Sequence, residues 1–183
     1  MRFRELAIDG PLLIELDLHT DDRGAFARTF CVDEFASAGL PTAFPQCNLS
    51  INDARGTLRG MHFNASPHCE AKVVRCVRGA IFDVVVDLRH GSPTQFRHVS
   101  AELTATNRLS LYIPAGFAHG FVTLEDATDV HYHMGARYVP DAARGLRWND
   151  PTLGITWPIA PTIMSRVDAA YGDVNPATFD LAD

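Results

Sequence analysis

The chain has 183 residues, of which 46% are hydrophobic and 21% charged, and its formal net charge at pH 7 is -6. This length and composition are typical of a globular protein with a sizeable core, so residues 1–183 are predicted to form a single domain. The negative charge and the lack of a long apolar run argue against nucleic-acid or membrane partners. Charges interrupt the apolar residues of the N-terminal segment, so no secretory signal is predicted and a cytoplasmic location is expected.

Short runs rich in β-branched and apolar residues recur along the chain, separated by turns that contain Gly and Pro. One helix is predicted over 32–38, where Asp33 and Glu34 favour a start and Gly39 favours a stop. Many strands with almost no helical period favour an all-β antiparallel jelly roll over a parallel α/β fold. In chain order, strands are predicted at 12–18, 71–79, 80–89, 97–105, 108–114, 120–126 and 128–139.

The cysteines show no spacing that is typical of a bound metal or of redox chemistry. No C-x-x-C pair is present, which argues against a zinc knuckle and against a thioredoxin-like motif. We therefore expect reduced thiols, mostly buried, at Cys31, Cys47, Cys69 and Cys76.

Two histidine motifs narrow the class of β protein. They are G-x-H-x-N at 60–64 and P-x-G-x-x-H at 114–119. The pair resembles the two motifs of the cupin superfamily, which implies a double-stranded β-helix with His62 and His119 in one cavity. Metal-binding cupins carry a second histidine where this chain has Asn64, a poor ligand, so no metal is expected there.

Further matches lie in order between residues 8 and 168. Together they resemble the dTDP-4-dehydrorhamnose 3,5-epimerase family, whose members are sugar-nucleotide epimerases on the cupin fold. The resemblance implies an isomerase that needs no cofactor and acts on a nucleotide-diphosphate 4-keto-6-deoxy sugar. The matching segments are DDRGAF (21–26), Gln46 with Asn48 and Ser50, LRGMH (58–62), KVVRCVRGAIFDVVVDLRHGSPT (72–94), YIPAGFAHGFVTL (112–124), Tyr132 with Tyr138, and WNDPTLGITWP (148–158).

The chemistry of such a substrate explains which residue types are needed. C3 and C5 of a 4-keto sugar both adjoin the carbonyl, so either centre is inverted by removing a proton to form an enolate and returning one to the other face. His62 suits the base, because imidazole titrates near neutral pH, and the resemblance gives it that role. The resemblance also places Asp168 where a carboxylate would orient His62, with Asp83 as the second candidate. Asp83 interrupts an apolar strand, and both a lumen-facing and a solvent-facing position remain open.

Two further residues complete the predicted proton-transfer set. Lys72 lies two residues after Glu70, so both side chains share one face of a strand, where an ammonium group would stabilise the enolate oxygen. A solvated surface lysine is the alternative. Tyr132 lies on the strand face opposite His131 and His133. The resemblance makes Tyr132 the acid that protonates the carbon from the other side, and a packed core tyrosine is the alternative.

Other positions are predicted to bind the nucleotide. Guanidinium groups suit a diphosphate because they stay charged and bind two oxygens at once. The resemblance implies this contact for Arg23 and Arg59, and a polar contact in the pocket for His119. Aromatic and amide contacts to the base are predicted for Phe26, Tyr138, Gln46 and Asn48.

The chain also departs from the family pattern. Arg28 stands where the resemblance implies a glutamate that accepts from thymine, and we keep it as a candidate contact to a base edge or a phosphate. Asn64 and Glu70 replace two expected glutamines, and Val167 replaces a lysine. The proton-transfer residues are retained. The sequence therefore predicts an active epimerase whose nucleotide, sugar or regiochemistry differs from that of the dTDP-rhamnose enzyme.

Two alternative functions remain open, and the sequence also predicts an oligomeric state. A metal-dependent cupin, such as a dioxygenase or isomerase, would use His62, Glu70 and His119 as ligands. A non-catalytic sugar-nucleotide-binding relative is the second alternative. The apolar segment 12–18 would be an exposed edge strand unless a second subunit covered it, and the family resemblance also implies a homodimer.

Overall fold

The computed structural model describes residues 1–182. The chain contains few helical residues: α1 (Val32–Ser37), a short 3-10 helix (Pro140–Ala142) and α2 (Arg166–Ala170). The rest of the regular structure is extended, which confirms the predicted all-β class. The strands are β1 (Arg2–Glu5), β2 (Leu12–Glu15), β3 (His19–Asp21), β4 (Gly24–Phe26), β5 (Gln46–Asn52), β6 (Leu58–Asn64), β7 (Lys72–Arg78), β8 (Ala80–Asp87), β9 (His98–Thr104), β10 (Ser110–Ile113), β11 (Phe117–Thr123), β12 (Thr128–Met134) and β13 (Ala143–Gly145).

The strands form two facing antiparallel sheets and a separate hairpin. The first sheet has six strands in the order β1-β2-β10-β7-β12-β5, and the second has five in the order β13-β6-β11-β8-β9. Strands β3 and β4 pair only with each other. All seven predicted strands and helix α1 are present, with their ends shifted by a few residues. The unpredicted strands are short or carry polar residues, as β5 does with its sequence QCNLSIN.

The main core lies between the two sheets. Alternate residues of each strand face inward, as the two-residue period of a strand requires. Each fully buried Val, Leu, Ile or Phe in such a core contributes about 1.5–3 kcal/mol. Side chains from both sheets meet there, including Leu13, Val74, Leu111, Val130, Ile81, Val85, Leu103 and Phe121.

Both sheets are also covered on their outer faces. Helix α1 covers the first sheet through Phe35, which packs with Ile14 and Val73. The C-terminal segment covers the second sheet, where Leu153 and Val174 pack against Met61 and other outward residues of β6, β8 and β11. This covering explains why β8 is apolar along both faces, and it brings α2 against β6.

Asp83 is the exception on β8. It shares the inward face with Ile81 and Val85, which belong to the inter-sheet core, and its side chain is completely buried. The lumen-facing position is therefore the correct one of the two that the sequence left open.

A β-bulge in β6 decides which of its side chains face inward. His119 of β11 pairs with His62, whereas Phe121 pairs with Arg59, so three steps along β6 match two along β11. Bulges re-aim side chains in this way. Because of it, Arg59 and His62 both line the space between the sheets although they are an odd number of residues apart. A β-carbon added at Gly60 would lie 2.5 Å from the Cα atom of Gly120.

We expect Gly120→Ala to destabilise the protein and to lower turnover. The added β-carbon would lie 2.7 Å from the Met61 sulfur and 2.9 Å from the Arg59 carbonyl oxygen, so β6 and β11 would have to separate. Such overpacking costs about 1–3 kcal/mol. Gly172→Ala is the matched control, because nothing lies within 4 Å of its added β-carbon. Equal urea midpoints for the two variants would contradict this expectation.

Two predictions from the sequence are wrong in detail. All four cysteines are free thiols, but Cys76 alone among them is buried, and Cys47 is exposed. Burial raises the pKa of the Cys76 thiol to about 11. The segment 12–18 is not an edge either, because β2 lies between β1 and β10, and the edges of the first sheet are β1 and β5.

No helix within residues 1–182 is long and apolar enough to span a membrane.

Candidate active site

A cavity of about 360 Å³ opens between the two sheets. Its walls come from β5, β7 and β12 of the first sheet and from β6 and β11 of the second. Six predicted site residues line it together: Asn48, Arg59, His62, Lys72, His119 and Tyr132. The sequence reasoning did not assign a role to the other lining residues, which are Leu49, Ser50, Ile51 and Met134.

The buried carboxylate of Asp168 fixes the orientation of the His62 ring. Its Nε2 atom lies 2.7 Å from Oδ1 of Asp168. Asp168 is fixed in the first turn of α2, where its own N–H donates to the Ser165 hydroxyl at 3.0 Å. An ionised carboxylate only accepts hydrogen bonds, so Nε2 must carry a hydrogen and a neutral His62 keeps its lone pair on Nδ1.

The surroundings of Asp168 favour its charged form. Burial by itself would raise the pKa of Asp168. The hydrogen bond and the charge of His62, with smaller contributions from the Gly60 N–H and the Ser165 hydroxyl, hold that pKa below its usual range. Asp168 is thus ionised at neutral pH and keeps His62 in one tautomer.

Asp83 does not orient His62, which corrects that candidate assignment. Its Oδ1 atom lies 2.6 Å from Nε2 of His119, on the neighbouring strand β11. The reason is topological, since β8 pairs with β11 and β9, whereas α2 packs on β6. Oδ2 of Asp83 is buried and has no hydrogen-bond partner within residues 1–182. Burial raises the pKa of Asp83, against the opposing effects of His119 and Lys72.

Tyr132 reaches the cavity from the sheet opposite to His62. Its ring packs against the inter-sheet core and lies 5.9 Å from the His119 ring, at 76°. Burial, and then the charge of Asp83, raise the pKa of Tyr132 far above its usual range, and Arg59 opposes this only in part. The phenol therefore keeps its proton at neutral pH and has one to donate.

Lys72 is buried at the start of β7 and lines the cavity, so the surface-lysine alternative is wrong. Its Nζ lies 3.3 Å from Oε1 of Glu70, which precedes the first residue of β7. The ion pair keeps the ammonium group at the cavity wall and partly balances its charge.

Arg59 is positioned by a residue that the sequence reasoning missed. Its Nε donates to Oδ1 of Asn52 at 2.8 Å, and its Nη2 donates to the Ile51 carbonyl at 3.3 Å. Asn52 is buried and also donates to the Thr128 carbonyl at 3.0 Å. The polar alternation of Asn48, Ser50 and Asn52 in β5 was the signal that could have identified it.

Tyr171 was also missed. Its ring lies 6.1 Å from the His62 ring in an edge-on arrangement. It directly follows the helix that carries Asp168 and packs so closely on Gly145 that a β-carbon there would lie 2.2 Å from the ring. Tyr171 thus confines the His62 ring on the side away from β11.

The remaining predicted contacts do not line the cavity of this chain. Arg23 and Arg28 are exposed and pair with Asp21 and Glu34, at 3.2 and 3.0 Å. Phe26 is 75% exposed on the β3–β4 hairpin. The last two, Gln46 and Tyr138, contact each other: the Tyr138 N–H donates to Oε1 of Gln46 at 3.1 Å, and Gln46 pairs with the lining residue Met134.

Known proteins resemble this chain in sequence and in architecture. Residues 5–175 match the family model for dTDP-4-dehydrorhamnose 3,5-epimerase. The chain is 43% identical over 171 residues to the dTDP-4-dehydrorhamnose 3,5-epimerase of Sinorhizobium fredii, covering 93% of this chain and 88% of that protein. It is 41% identical over 169 residues to the dTDP-4-dehydrorhamnose 3-epimerase of Streptomyces niveus, covering 92% and 81%.

A solved structure gives the same result for the fold. The dTDP-4-dehydrorhamnose 3,5-epimerase of Bacillus anthracis, crystallised with TDP and pyrophosphate bound, superposes with a TM-score of 0.91 at 36% identity. The match covers 94% of this chain and 99% of that one. The predicted cupin-type jelly roll is confirmed, and the chain belongs to the dTDP-4-dehydrorhamnose 3,5-epimerase family, an isomerase class of enzymes.

Proposed function

We propose that this protein epimerises C3, C5 or both centres of a nucleotide-diphospho-4-keto-6-deoxy sugar, without a cofactor, in a cytoplasmic route to deoxysugars. One observation carries the proposal: a carboxylate-held histidine and a protonated phenol reach the same cavity from opposite sheets. Inversion needs a base and an acid on opposite faces of the sugar ring, and His62 and Tyr132 meet that requirement.

Each step of the reaction has a group in place. Nδ1 of His62 removes the proton next to the carbonyl, and Asp168 stabilises the imidazolium that forms. Lys72 lies at the cavity wall, where its charge favours the enolate oxygen over the neutral ketone, so it stabilises the transition state more than the bound substrate. Tyr132 then returns a proton to the opposite face.

The substrate is anchored by charge as well as by shape. Arg59 supplies a guanidinium group at the cavity, and Asn52 fixes its direction. The names of the relatives support a nucleoside-diphosphate sugar as substrate. Both 3,5-epimerases and a 3-epimerase match at similar identity, so we assign the chain to either centre or both. Arg23, Phe26 and Arg28 remain predicted contacts to parts of a substrate that extend beyond this cavity.

The proposal is tested by proton exchange in D₂O. The protein is incubated with dTDP-, GDP- and CDP-linked 4-keto-6-deoxy sugars, and the C3 and C5 protons are followed by NMR. We expect loss of at least one of these signals, together with inversion, for one nucleotide series. Full activity after treatment with a chelator separates this reaction from that of a metal-dependent cupin. Unchanged spectra with every sugar of the panel would defeat the proposal.

The proposal includes a homodimer. Leu49 and Ile51 on the edge strand β5 are 54% and 64% exposed, and Phe26 projects from the hairpin. Unpaired edges and exposed apolar side chains of this kind favour association. We expect light scattering to give twice the chain mass of 20.1 kDa. The substitution Ile51→Lys should shift the population toward the monomer, whereas wild-type protein that elutes as a monomer at micromolar concentration would contradict the dimer.

A further inference from the structure

The strand that carries Tyr132 has two histidines on its other face that the proposed reaction does not use. His131 and His133 flank Tyr132 on β12, and Cys47 on the edge strand β5 lies directly opposite His133 in the antiparallel register. Residues directly opposite each other in such a pair project from the same face of the sheet. The outer face of the first sheet therefore has a thiol and two imidazoles side by side.

The three side chains are close enough to share one ion. One ligand atom from each, the Cys47 sulfur and a ring nitrogen of each histidine, lies within 4.8 Å of the other two. A tetrahedral zinc ion with bonds of about 2.0–2.3 Å holds its ligand atoms about 3.3–3.8 Å apart. Small side-chain rotations close that difference, and no strand has to change its register.

The chemistry of the donor set indicates the class of ion. One sulfur and two imidazole nitrogens suit zinc and its neighbours in the late first transition series, and they do not suit calcium or magnesium, which prefer oxygen. Three protein donors leave the fourth position of a tetrahedral ion to water or to another ligand.

The surroundings hold the imidazoles in place. The rings of Phe30 and Phe44 each lie 5.8 Å from the His133 ring, and the His131 ring lies 5.0 Å from it at 88°. Arg75 on β7 is the cation that opposes binding, and its Nε donates to the Ser110 hydroxyl at 2.7 Å.

We propose that Cys47, His131 and His133 bind a zinc ion, or a similar late first-row divalent cation, on the outer face of the first sheet. The site is separate from the proposed reaction, which takes place on the inner face. A bound ion would fasten the edge strand β5 to β12 directly behind Tyr132, and it would stabilise the folded chain by RT ln(1 + [ion]/Kd).

The test uses the tag-free full chain under reducing conditions, titrated with Co²⁺ and followed by absorption. We expect a thiolate-to-cobalt charge-transfer band and tetrahedral d–d bands that saturate at one equivalent and disappear when Zn²⁺ is added. Cys47→Ala, which changes an exposed side chain, should lose the charge-transfer band. His133→Ala should lose the tetrahedral d–d bands. Zn²⁺ should raise the melting temperature of the wild type but not that of Cys47→Ala.

Matched controls lie elsewhere in the chain. Cys69→Ala and His90→Ala remove the same side-chain types outside the cluster, so both should retain the cobalt spectrum and the zinc-dependent rise in melting temperature. The proposal is overturned if the wild type shows no cobalt spectrum at millimolar Co²⁺, or if Cys47→Ala gives the same spectrum and stoichiometry as the wild type. No readout depends on epimerase activity, so this outcome is independent of the proposed function.

Discussion

His62→Asn lowers turnover by on the order of 10²–10⁴-fold and stops exchange of the substrate's C–H protons with D₂O, as expected if this residue is the general base. Asparagine is too short to place a donor where Nε2 stands, but Asp168 keeps the Gly60 N–H and the Ser165 hydroxyl as partners, so the buried carboxylate is not left unpaired. What it lacks is a lone pair that can accept a proton near neutral pH. We expect binding of the nucleoside diphosphate to change by less than about twofold, because the diphosphate is predicted to contact arginines.

Asp168→Asn measures how much the orienting carboxylate contributes to turnover when the base itself is unchanged. This change keeps a hydrogen bond to His62 but allows the other tautomer, so turnover should fall by less than with His62→Asn. His90→Ala is the control for loss of a histidine, because His90 is exposed and far along the chain from the cavity residues. Exchange at the wild-type rate in His62→Asn would remove His62 from the role of base.

Tyr132→Phe should uncouple the two halves of the reaction. The base is intact, so a substrate proton is still removed and returned to the same face, and deuterium still enters the sugar. Inversion should fall by on the order of 10²–10⁴-fold, because no acid remains on the opposite face. The phenylalanine ring keeps the packing against His119 and the inter-sheet core, so the fold should be retained.

The measurement compares deuterium incorporation with product configuration in one NMR experiment. Tyr112→Phe is the matched control, because Tyr112 is also buried but packs in the cluster under helix α1. Inversion at the wild-type rate in Tyr132→Phe would contradict the acid role. Loss of exchange together with inversion would instead place the phenol in the proton-removal step.

The fold class was predictable because runs rich in β-branched and apolar residues, such as 71–79 and 80–89, recur between turns that contain Gly and Pro. The strands that were not predicted lack this signal. β5 alternates polar and apolar residues and turns its polar face toward a cavity. In β6, Arg59 and His62 face the same side only because a bulge shifts the register between them. Local sequence cannot show a register shift, since that shift depends on where β11 pairs.

The candidate site was predicted in part for a similar reason. Residue type and family resemblance were enough to single out His62, Lys72 and Tyr132, and the structure brings all three to one cavity. The resemblance placed Asp168 ahead of Asp83 as the partner of His62, but the fold was needed to decide between them, because neither is close to His62 in sequence. Only strand order shows that Asp83 lies beside His119 and that α2 brings Asp168 to β6.

The contact between His62 and Asp168 joins positions 106 residues apart, so the surroundings of His62 depend on the C-terminal segment. Every strand of the two sheets precedes α2 in the sequence, so a chain cut before residue 166 would keep the strands that wall the cavity but would lack Asp168. The segment that supplies Asp168 also covers the apolar outer face of the second sheet. The C-terminal segment therefore supplies both the partner of His62 and the cover of the second sheet, so a truncation that removes one also removes the other.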